Sequence, residues 1–174
     1  MSEWLAPPLA EAVEVRRADA ADWPRIWPLW RRIVSAGETH PYPLDATEED
    51  AIALWLRPPR AALYVAERDG VVVAAMQTKP LRYGHGDHIA NFDLMVTPEC
   101  WGHGVGRALA EYVIDACRAA GYAAMEAYAV VAANERAVRL WHGLGFETLA
   151  IVPRAFRHPT QGLVDVHHMY RSLT

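Results

Sequence analysis

A glycine-rich turn between a predicted strand and a predicted helix constrains this sequence more than any other feature. The turn reads Trp-Gly-His-Gly-Val-Gly-Arg over residues 101–107. Glycine lets the backbone approach a ligand closely, and the first turn of a helix presents unpaired N–H groups. The segment therefore predicts a nest for an anion such as a pyrophosphate, to which His103 and Arg107 add positive charge. A glycine-rich connection without a ligand is the alternative interpretation.

Two kinds of nucleotide site are excluded by the residues around this turn. A P-loop requires a lysine followed by serine or threonine after its last glycine, and this sequence has none there. The turn also comes about 100 residues into the chain. A dinucleotide-binding fold requires an acidic residue at the end of the second strand of a strand–helix–strand unit, at a fixed distance after the glycines, and this sequence lacks one there.

The composition is that of a folded globular chain. Its 174 residues are 52% hydrophobic and 22% charged, which excludes a disordered chain and a coiled coil. The two cysteines, Cys100 and Cys117, exclude a disulfide framework and a four-cysteine zinc site. A net charge of −4 argues against a nucleic-acid partner held through its phosphates.

No membrane partner is expected, because no uncharged apolar run reaches the roughly 18 residues that a span needs. Residues 1–8 also lack the basic region and apolar core of a secretory signal. We therefore expect a cytoplasmic protein with reduced thiols.

We expect one domain over residues 1–174, with residues 1–12 as an N-terminal arm, because no linker or repeat divides the chain. Hairpins combined with one strand–helix–strand crossover predict an α/β sheet with helices on both faces. Periodicity and turn residues predict strands at about 13–17, 62–67, 71–76, 88–96, 123–130, 146–152 and 164–170, and helices at about 19–37, 47–57, 104–120 and 134–143.

The glycine-rich turn and its flanks resemble a known family. Residues 94–109 are similar to the acetyl-CoA binding motif of the GCN5-related N-acetyltransferases, the GNAT family. About 30 residues later, the segment 134–141 with Leu-Gly-Phe at 144–146 resembles the family's second signature. The order of elements over residues 13–171 matches as well. The resemblance implies the GNAT fold, an α/β (α+β) architecture whose central, mixed, mostly antiparallel sheet is splayed into a V.

The resemblance also implies how acetyl-CoA, the co-substrate, would be held. The backbone at Met95 and Val96 would bind the pantetheine arm, and Asn134 would hold the far end of that arm or a group near the phosphates. The thioester would lie in the V between the strand that ends at Val96 and the strand at 123–130. The pyrophosphate would be cradled by Gly102, His103, Gly104, Val105, Gly106 and Arg107.

Two tryptophans depart from the family pattern. Trp101 stands where the phosphate motif usually has Arg or Gln, so His103, Arg107 and backbone amides would carry the anion. Trp141 stands where the family often has the tyrosine that protonates the departing thiolate. An indole cannot supply that proton, and Trp141 is expected to pack against the cofactor.

Three further segments resemble a subgroup of the family that includes the azetidine-2-carboxylate N-acetyltransferase of yeast. They are Gly-Glu-Thr at 37–39 with Tyr-Pro at 42–43, Ala-Asn-Phe at 90–92, and parts of 156–165. The resemblance implies that Glu38 and Asn91 bind the acceptor. A second asparagine of the subgroup is replaced here by Tyr128, which keeps a polar group near the reaction centre.

Acetyl transfer to an amine needs an uncharged amine, a polarised thioester and an acid for the thiolate. Strand alternation places Asn91 and Asp93 on one face until a bulge intervenes. Asp93 would accept the ammonium proton, with Glu67 and His88 as alternatives, and Tyr128 would supply the acid. The structural interpretations remain open: a solvated charge at Asp93, pairing of backbone groups by Asn91, and a half-buried sheet aromatic at Tyr128.

The sequence therefore predicts an acetyl-CoA-dependent N-acetyltransferase that passes acetyl directly to the amine of a small molecule, such as an amino or imino acid. An acyl-enzyme on Cys100 or Cys117 is not expected. An acetyltransferase of protein N-termini is one alternative, although residues 37–46 and 153–163 would close its peptide groove; a non-catalytic acyl-CoA binding module is another. The histidines lack the spacing of a zinc site, so no metal is expected. Exposed strands in this family commonly pair, which makes a homodimer possible.

Overall fold

The computed structural model describes residues 13–174, and the predicted N-terminal arm of residues 1–12 lies outside the described residues. Within the described part, seven strands combine with four α-helices. The strands are β1 (Glu14–Ala18), β2 (Ala62–Arg68), β3 (Val71–Pro80), β4 (Ile89–Val96), β5 (Ala124–Val131), β6 (Glu147–His158) and β7 (Gly162–Ser172). The α-helices are α1 (Trp23–Ala36), α2 (Glu48–Trp55), α3 (Val105–Ala119) and α4 (Glu135–Gly143).

The strands form one open sheet in the order β1-β2-β3-β4-β5-β7-β6. All neighbouring pairs are antiparallel except β4 and β5. A parallel pair needs a crossover connection, and α3 supplies it between β4 and β5. The mixed, mostly antiparallel sheet predicted from the sequence is therefore confirmed.

The parallel pair opens into a V shortly after it begins. Only residues 89–91 of β4 pair with residues 124–126 of β5, although β4 continues to Val96 and β5 to Val131. Beyond Asn91 and Glu126, the facing edges of these two strands no longer bond to each other. Their backbone groups and the side chains beside them are therefore available to a ligand between the strands.

Helices cover both faces of the sheet, as predicted, and each face has its own apolar core. The face under α3 and α4 buries Leu109, Val113 and Phe146. The opposite face, under α1 and α2, buries Trp30 and Trp55. Successive residues of a strand point to opposite faces, so β4 contributes to both cores and to the cleft between them.

Three local predictions differ from the structure. The sequence pattern predicts a loop over residues 153–163. Residues 153–158 instead continue β6, which forms a hairpin with β7. The bulge expected in β4 lies in β5 instead, between Ala127 and Val130, while the pairing of β4 with β3 stays regular. Pro28 inside the helical pattern predicts a kink or the real start of the helix, but α1 already begins at Trp23 and runs without a break to Ala36.

A partly buried ionic network joins β1 to the start of α1. Arg16 donates to both carboxylate oxygens of Asp22, at 3.0 and 2.7 Å, and also contacts Glu67. Arg25 closes the network with a 2.9 Å contact to Glu67. The hydrogen bonds from Arg16 lower the pKa of Asp22 from 3.8 to about 2.

We expect Asp22→Asn to lower the free energy of unfolding at pH 7 by about 1–2 kcal/mol, because the half-exposed Arg16 screens part of the full effect. The folded-state pKa lies below the unfolded value, so this stability is present above pH 3.8 and is lost as the pH falls through about 2. Urea unfolding at pH 7 and pH 3 measures it, with Asp45→Asn in an exposed loop as the control. An equal loss at both pH values would contradict the ionic origin.

Candidate active site

The V between β4 and β5 holds a cleft with two connected halves. One half, which we call the cradle half, has a volume of about 370 Å³ and is lined by the glycine-rich turn and the first turn of α4. The other, the acceptor half, has about 100 Å³ and is lined by β4, β5 and the loop after α1. The two halves share six lining residues, Thr39, His40, Leu94, Asn134, Ala137 and Leu140, so they are adjacent parts of one cleft.

Two glycines of the turn adopt backbone conformations that other residues rarely reach. Gly102 and Gly104 have φ values of 78° and 79°, in the left-handed region. Gly104 caps α3 without a side chain, and the first helical bond runs from the Ala108 N–H to its carbonyl. The N–H groups of the first turn of α3 therefore have no partner within the helix and lie beside the cleft. This geometry fits the predicted anion cradle.

Gly106 has a different purpose from the other two glycines. It lies inside α3, and a Cβ built on it would come within 3.3 Å of Val96 Cγ2 and 3.6 Å of Leu140 Cδ2. The missing side chain lets α3 pack closely against the end of β4. Val105 is 2% exposed, so its side chain belongs to the core and only its backbone faces the cradle. His103 is exposed and does not line the cleft.

Trp101 anchors the turn to the strand that precedes it. Its Nε1 donates to the Val96 carbonyl at 2.9 Å, so one of the two acceptor sites of that carbonyl is occupied. The guanidinium of Arg136 lies over the indole, 3.9 Å from the ring centroid. The family usually has a charged or polar residue at position 101. Trp101 instead holds the guanidinium of Arg136, a residue of α4, through a cation–π contact.

The positive charge of the cradle half comes from three arginines, Arg107, Arg136 and Arg139. Arg107 bonds to Glu111 at 3.1 Å, and Arg139 bonds to Glu135 at 3.2 Å. The sequence analysis identified Arg107 but missed Arg136 and Arg139. The available signal was the basic spacing 136/139 on the first turns of a helix that begins beside the cleft.

The remaining predicted cofactor residues reach the cleft in different ways. Met95 is 1% exposed with its side chain in the core under α1, so only its backbone can serve a ligand. Asn134 caps α4, because its Oδ1 accepts from the Ala137 N–H at 3.3 Å, and its amide lies where the two halves meet. Trp141 is buried against Phe92 and Phe146, with centroids 4.6 and 5.3 Å apart. It forms the apolar floor of the acceptor half.

Asn91 and Asp93 point to the same face of β4, as alternation predicts. Asn91 is buried, and its amide donates to the Glu126 carbonyl at 3.0 Å. That bond joins β4 to β5 at the last pair before they separate, so Asn91 stabilises the apex of the V. Asp93 lies further along the open part of the strand and accepts from the Tyr42 hydroxyl at 2.7 Å. Both residues line the acceptor half.

The loop after α1 contributes side chains that the sequence analysis did not identify. Glu38, the predicted acceptor ligand, is exposed and does not line the cleft, whereas Thr39, His40 and Tyr42 do. Gly37 ends α1 with a φ of 70°, which turns the following residues toward β4. The proline-flanked aromatic segment His-Pro-Tyr-Pro at 40–43 was the signal that could have located them.

These loop residues are held in place by stacking and hydrogen bonds. The Tyr42 ring stacks between His40 and Trp30, at centroid distances of 6.1 and 5.5 Å. Thr39 Oγ1 lies 2.9 Å from His40 Nδ1. Burial lowers the pKa of His40, so the imidazole is neutral near pH 7. Burial, together with the charge of Asp93, raises the pKa of Tyr42, which therefore keeps its proton.

Tyr128 enters the acceptor half from β5 because of the bulge at that point. The pairing with β7 skips from Ala127 to Val130, and a bulge re-aims the side chains of the unpaired residues. Tyr128 is 55% exposed and lines the cleft. Burial and then the charge of Asp93 raise the pKa of Tyr128 above its ordinary 10.0. The hydroxyl is thus protonated at neutral pH and lies within the field of the carboxylate.

The two alternatives for the base lie outside the cleft. Glu67 is occupied by Arg16 and Arg25 and lines neither half. His88 is exposed just before β4 and lines neither half. Among the described residues 13–174, no three His, Cys, Asp or Glu side chains come together as metal ligands would. The helices of the same residues include none with the length and apolarity that crossing a bilayer requires.

Comparisons with known proteins agree with this geometry. The model of the acetyltransferase (GNAT) family matches residues 23–146. A GCN5-related N-acetyltransferase from Kribbella flavida is 45% identical, with a TM-score of 0.87 over 93% of this chain and 98% of that one. No protein of curated function matches the sequence.

Two structures that contain acetyl-CoA share the fold at lower identity. YncA of Salmonella typhimurium, solved with its cofactor acetyl-CoA, is 24% identical with a TM-score of 0.78, over 94% of this chain and 95% of that one. A phosphinothricin acetyltransferase of Sinorhizobium meliloti in complex with acetyl-CoA is 22% identical with a TM-score of 0.82, over 92% and 88%. The family match, the 45% identity and the shared sheet lead to one conclusion: this chain belongs to the GCN5-related N-acetyltransferase (GNAT) family.

Proposed function

We propose that this chain transfers acetyl from acetyl-CoA directly to the amine of a small molecule. The observation that carries the proposal is the cleft in the V between β4 and β5. Its one half has the unpaired amides and arginines that suit a pyrophosphate, and its other half has Asp93 beside two tyrosines.

The residues present fit acetyl-CoA. Gly102 and Gly104 have positive φ values and no side chain that would cover the backbone of the turn. A Cβ built on Gly102 would have no protein atom within 4 Å. This open space beside the first turn of α3 suits the diphosphate, and Arg107 and Arg136 supply charge. When bound, acetyl-CoA supplies the thioester, whose carbonyl carbon bonds to the amine nitrogen as the carbon–sulfur bond breaks.

Asp93 and Tyr128 would move the two protons of this reaction. Amines are protonated near pH 7, so one ammonium proton must leave before the nitrogen lone pair can attack. Asp93 would take that proton, with its carboxylate oriented by the hydroxyl of Tyr42. Tyr128 would give its proton to the departing thiolate, and the second amine proton, released as the amide forms, would restore it. Asp93 then releases its proton to solvent, so the net products are the amide, the free thiol of CoA and one proton.

Neither cysteine suits an acyl-enzyme. Burial raises the pKa of Cys117 to about 11, so the thiol is protonated near pH 7, and it lies in the core under α3. Cys100 is buried below the cradle half, whereas the proposed proton-transfer groups line the acceptor half. Direct transfer within a ternary complex needs no nucleophile from the chain.

A thiol-release assay with acetyl-CoA and a panel of amines tests the proposal. Turnover on free small amines is the expected result, because residues 39–42 cover the acceptor half and leave little room for a peptide. Turnover on peptide N-termini alone would instead make the chain a protein N-acetyltransferase. Tight binding of acetyl-CoA without any turnover would make it a binding module, and no binding would reject all three.

We expect Tyr128→Phe to lower kcat about tenfold or more at pH 7, because the thiolate loses its proton donor. Since the pKa of Tyr128 is raised, the wild type keeps this proton through neutral pH, and the difference should shrink only well above pH 10. Tyr83→Phe, at a tyrosine that is equally exposed but outside the cleft, is the control. An unchanged kcat across the pH range would remove Tyr128 from the mechanism.

We further propose that the chain acts in the cytoplasm, the compartment expected from the sequence.

We also propose that two copies pair through β6. β6 is an edge strand of 12 residues, and Leu149 and Ile151 on it are 58% and 55% exposed. An exposed apolar edge is a template for another strand. We expect Ile151→Lys to shift sedimentation from dimer to monomer, whereas Val71→Lys, at another exposed apolar residue, leaves it unchanged. A monomeric wild type would refute the pairing.

A further inference from the structure

The charge of the acceptor half points to a particular class of amine. Of the described residues 13–174 that line it, Asp93 is the one acidic side chain. None of them is a lysine or an arginine, and the one histidine, His40, is neutral because burial lowers its pKa. An ammonium group is therefore attracted into this half, and a second negative charge is repelled from it.

Three basic side chains on the same face of the sheet are already engaged elsewhere. Arg82 and His168 both bind the buried carboxylate of Glu126, at 3.0 and 2.6 Å. Lys79 lies 3.4 Å from the Leu54 carbonyl at the end of α2. None of the three lines the acceptor half.

The acceptor half offers a carboxylate neutral donors but, among the described residues, no full positive charge. A helix N-terminus is the usual substitute for a basic side chain, and α4 begins beside the acceptor half. Asn134 already occupies one N–H of its first turn, because its Oδ1 accepts from the Ala137 N–H. Arg136 is stacked on Trp101 in the cradle half, where it faces the site proposed for acetyl-CoA.

The walls around Asp93 suit an amine whose substituents are apolar. The Tyr42 hydroxyl donates to the carboxylate, and the ring of Tyr128 and the buried Trp141 line the same space. Aromatic faces attract ammonium groups and apolar substituents but not carboxylates. The acceptor half has a volume of about 100 Å³, less than the roughly 150 Å³ cavity that holds a benzene ring, so the part of the acceptor that enters it is small.

We infer, on the basis of the proposed function, that the acceptor is a small cationic amine without a carboxylate next to its nitrogen, bound through Asp93. This class differs from the amino and imino acids that the sequence resemblance suggests. A carboxylate on the carbon beside the nitrogen would lie within a few ångströms of Asp93, with no cation to neutralise it.

Matched acceptors separate the effect of charge from the effect of size. Pyrrolidine, prolinol and proline share one ring and differ at a single substituent, as do azetidine and azetidine-2-carboxylate. We expect kcat/KM to be at least tenfold higher for pyrrolidine and prolinol than for proline, and the same for azetidine over its acid. Prolinol is about as large as proline but lacks its carboxylate charge. If prolinol and proline were both turned over slowly, size would be the cause, and the inference would be overturned.

A charge introduced into the acceptor half tests the same inference from the side of the protein. Ala129 lines this half and has no place in the proposed mechanism. We expect Ala129→Lys to raise the ratio of proline to pyrrolidine turnover at least fivefold, while Ala129→Met, of similar length, leaves the ratio unchanged. An unchanged ratio in a folded Ala129→Lys protein would count against the inference.

Failure of this inference is distinguishable from failure of the proposed function. Faster turnover of proline than of pyrrolidine would refute the amine class and leave the acetyltransferase proposal intact. No turnover of any amine, with acetyl-CoA bound, would refute the proposed function itself.

Discussion

Gly102→Val should weaken acetyl-CoA binding at least about tenfold, since charge-assisted hydrogen bonds to a phosphate contribute about 1.5–3 kcal/mol each. The backbone at Gly102 has a φ of 78°, and no protein atom lies within 4 Å of a Cβ placed there. The added side chain would therefore occupy the open space beside the cradle amides. Isothermal titration calorimetry with acetyl-CoA measures the loss directly.

Gly162→Val is the matched control for this experiment. Gly162 has a φ of 73° and likewise meets nothing within 4 Å, but it lies in the hairpin between β6 and β7. Both variants carry the same left-handed strain of about 1–2 kcal/mol, so their thermal stabilities should fall together. Only Gly102→Val should lose acetyl-CoA. Equal binding by the two variants would mean that the turn does not hold the diphosphate.

Asp93→Asn should lower kcat about 100-fold or more, because an amide cannot accept the ammonium proton and general bases contribute about that much. The dissociation constant of acetyl-CoA should stay within about twofold, since Asp93 lines the acceptor half and not the cradle half. Stopped assays at saturating acetyl-CoA give kcat, and calorimetry gives the affinity.

Asp87→Asn provides the control for a lost carboxylate. Asp87 is ion-paired with Arg60 at 3.0 Å on the surface, away from both halves of the cleft. It should leave kcat unchanged. If Asp93→Asn kept more than about a third of the wild-type rate, the base would have to be another group, and the neutral His40 is the next candidate by position.

Local features of the sequence predicted most of the elements, because they depend on neighbours in the chain. Thr47 and Asp50 form the capping box that begins α2, as their spacing predicted. The Asp-Gly pair at 69–70 joins β2 to β3 in a tight hairpin. The end of β6 was missed because residues 153–158 extend as a strand through pairing with β7, which follows them in the chain. Their own residue pattern contains no signal of that pairing.

The acceptor half was harder to predict than the cradle half. The glycine-rich turn of the cradle half consists of consecutive residues, so its glycines could be identified from spacing alone. The acceptor half joins residues far apart in the chain: Tyr42 and Asp93 are 51 positions from each other, yet share a 2.7 Å hydrogen bond. Tyr128 was selected from a resemblance, but its direction depends on a bulge in β5 that only the pairing with β7 reveals.

The chain's own residues specify the order of elements, the bare turn before α3 and the polar face of β4, because turn chemistry and side-chain alternation act over a few neighbours. Packing decides which loop residues meet that face, which arginine covers Trp101, and that Trp141 lies in the interior. Within the part of the chain that the structure describes, it also leaves Asp93 with no lysine or arginine in the acceptor half. Such contacts arise when distant segments compete for the same space, and that competition is settled only in three dimensions.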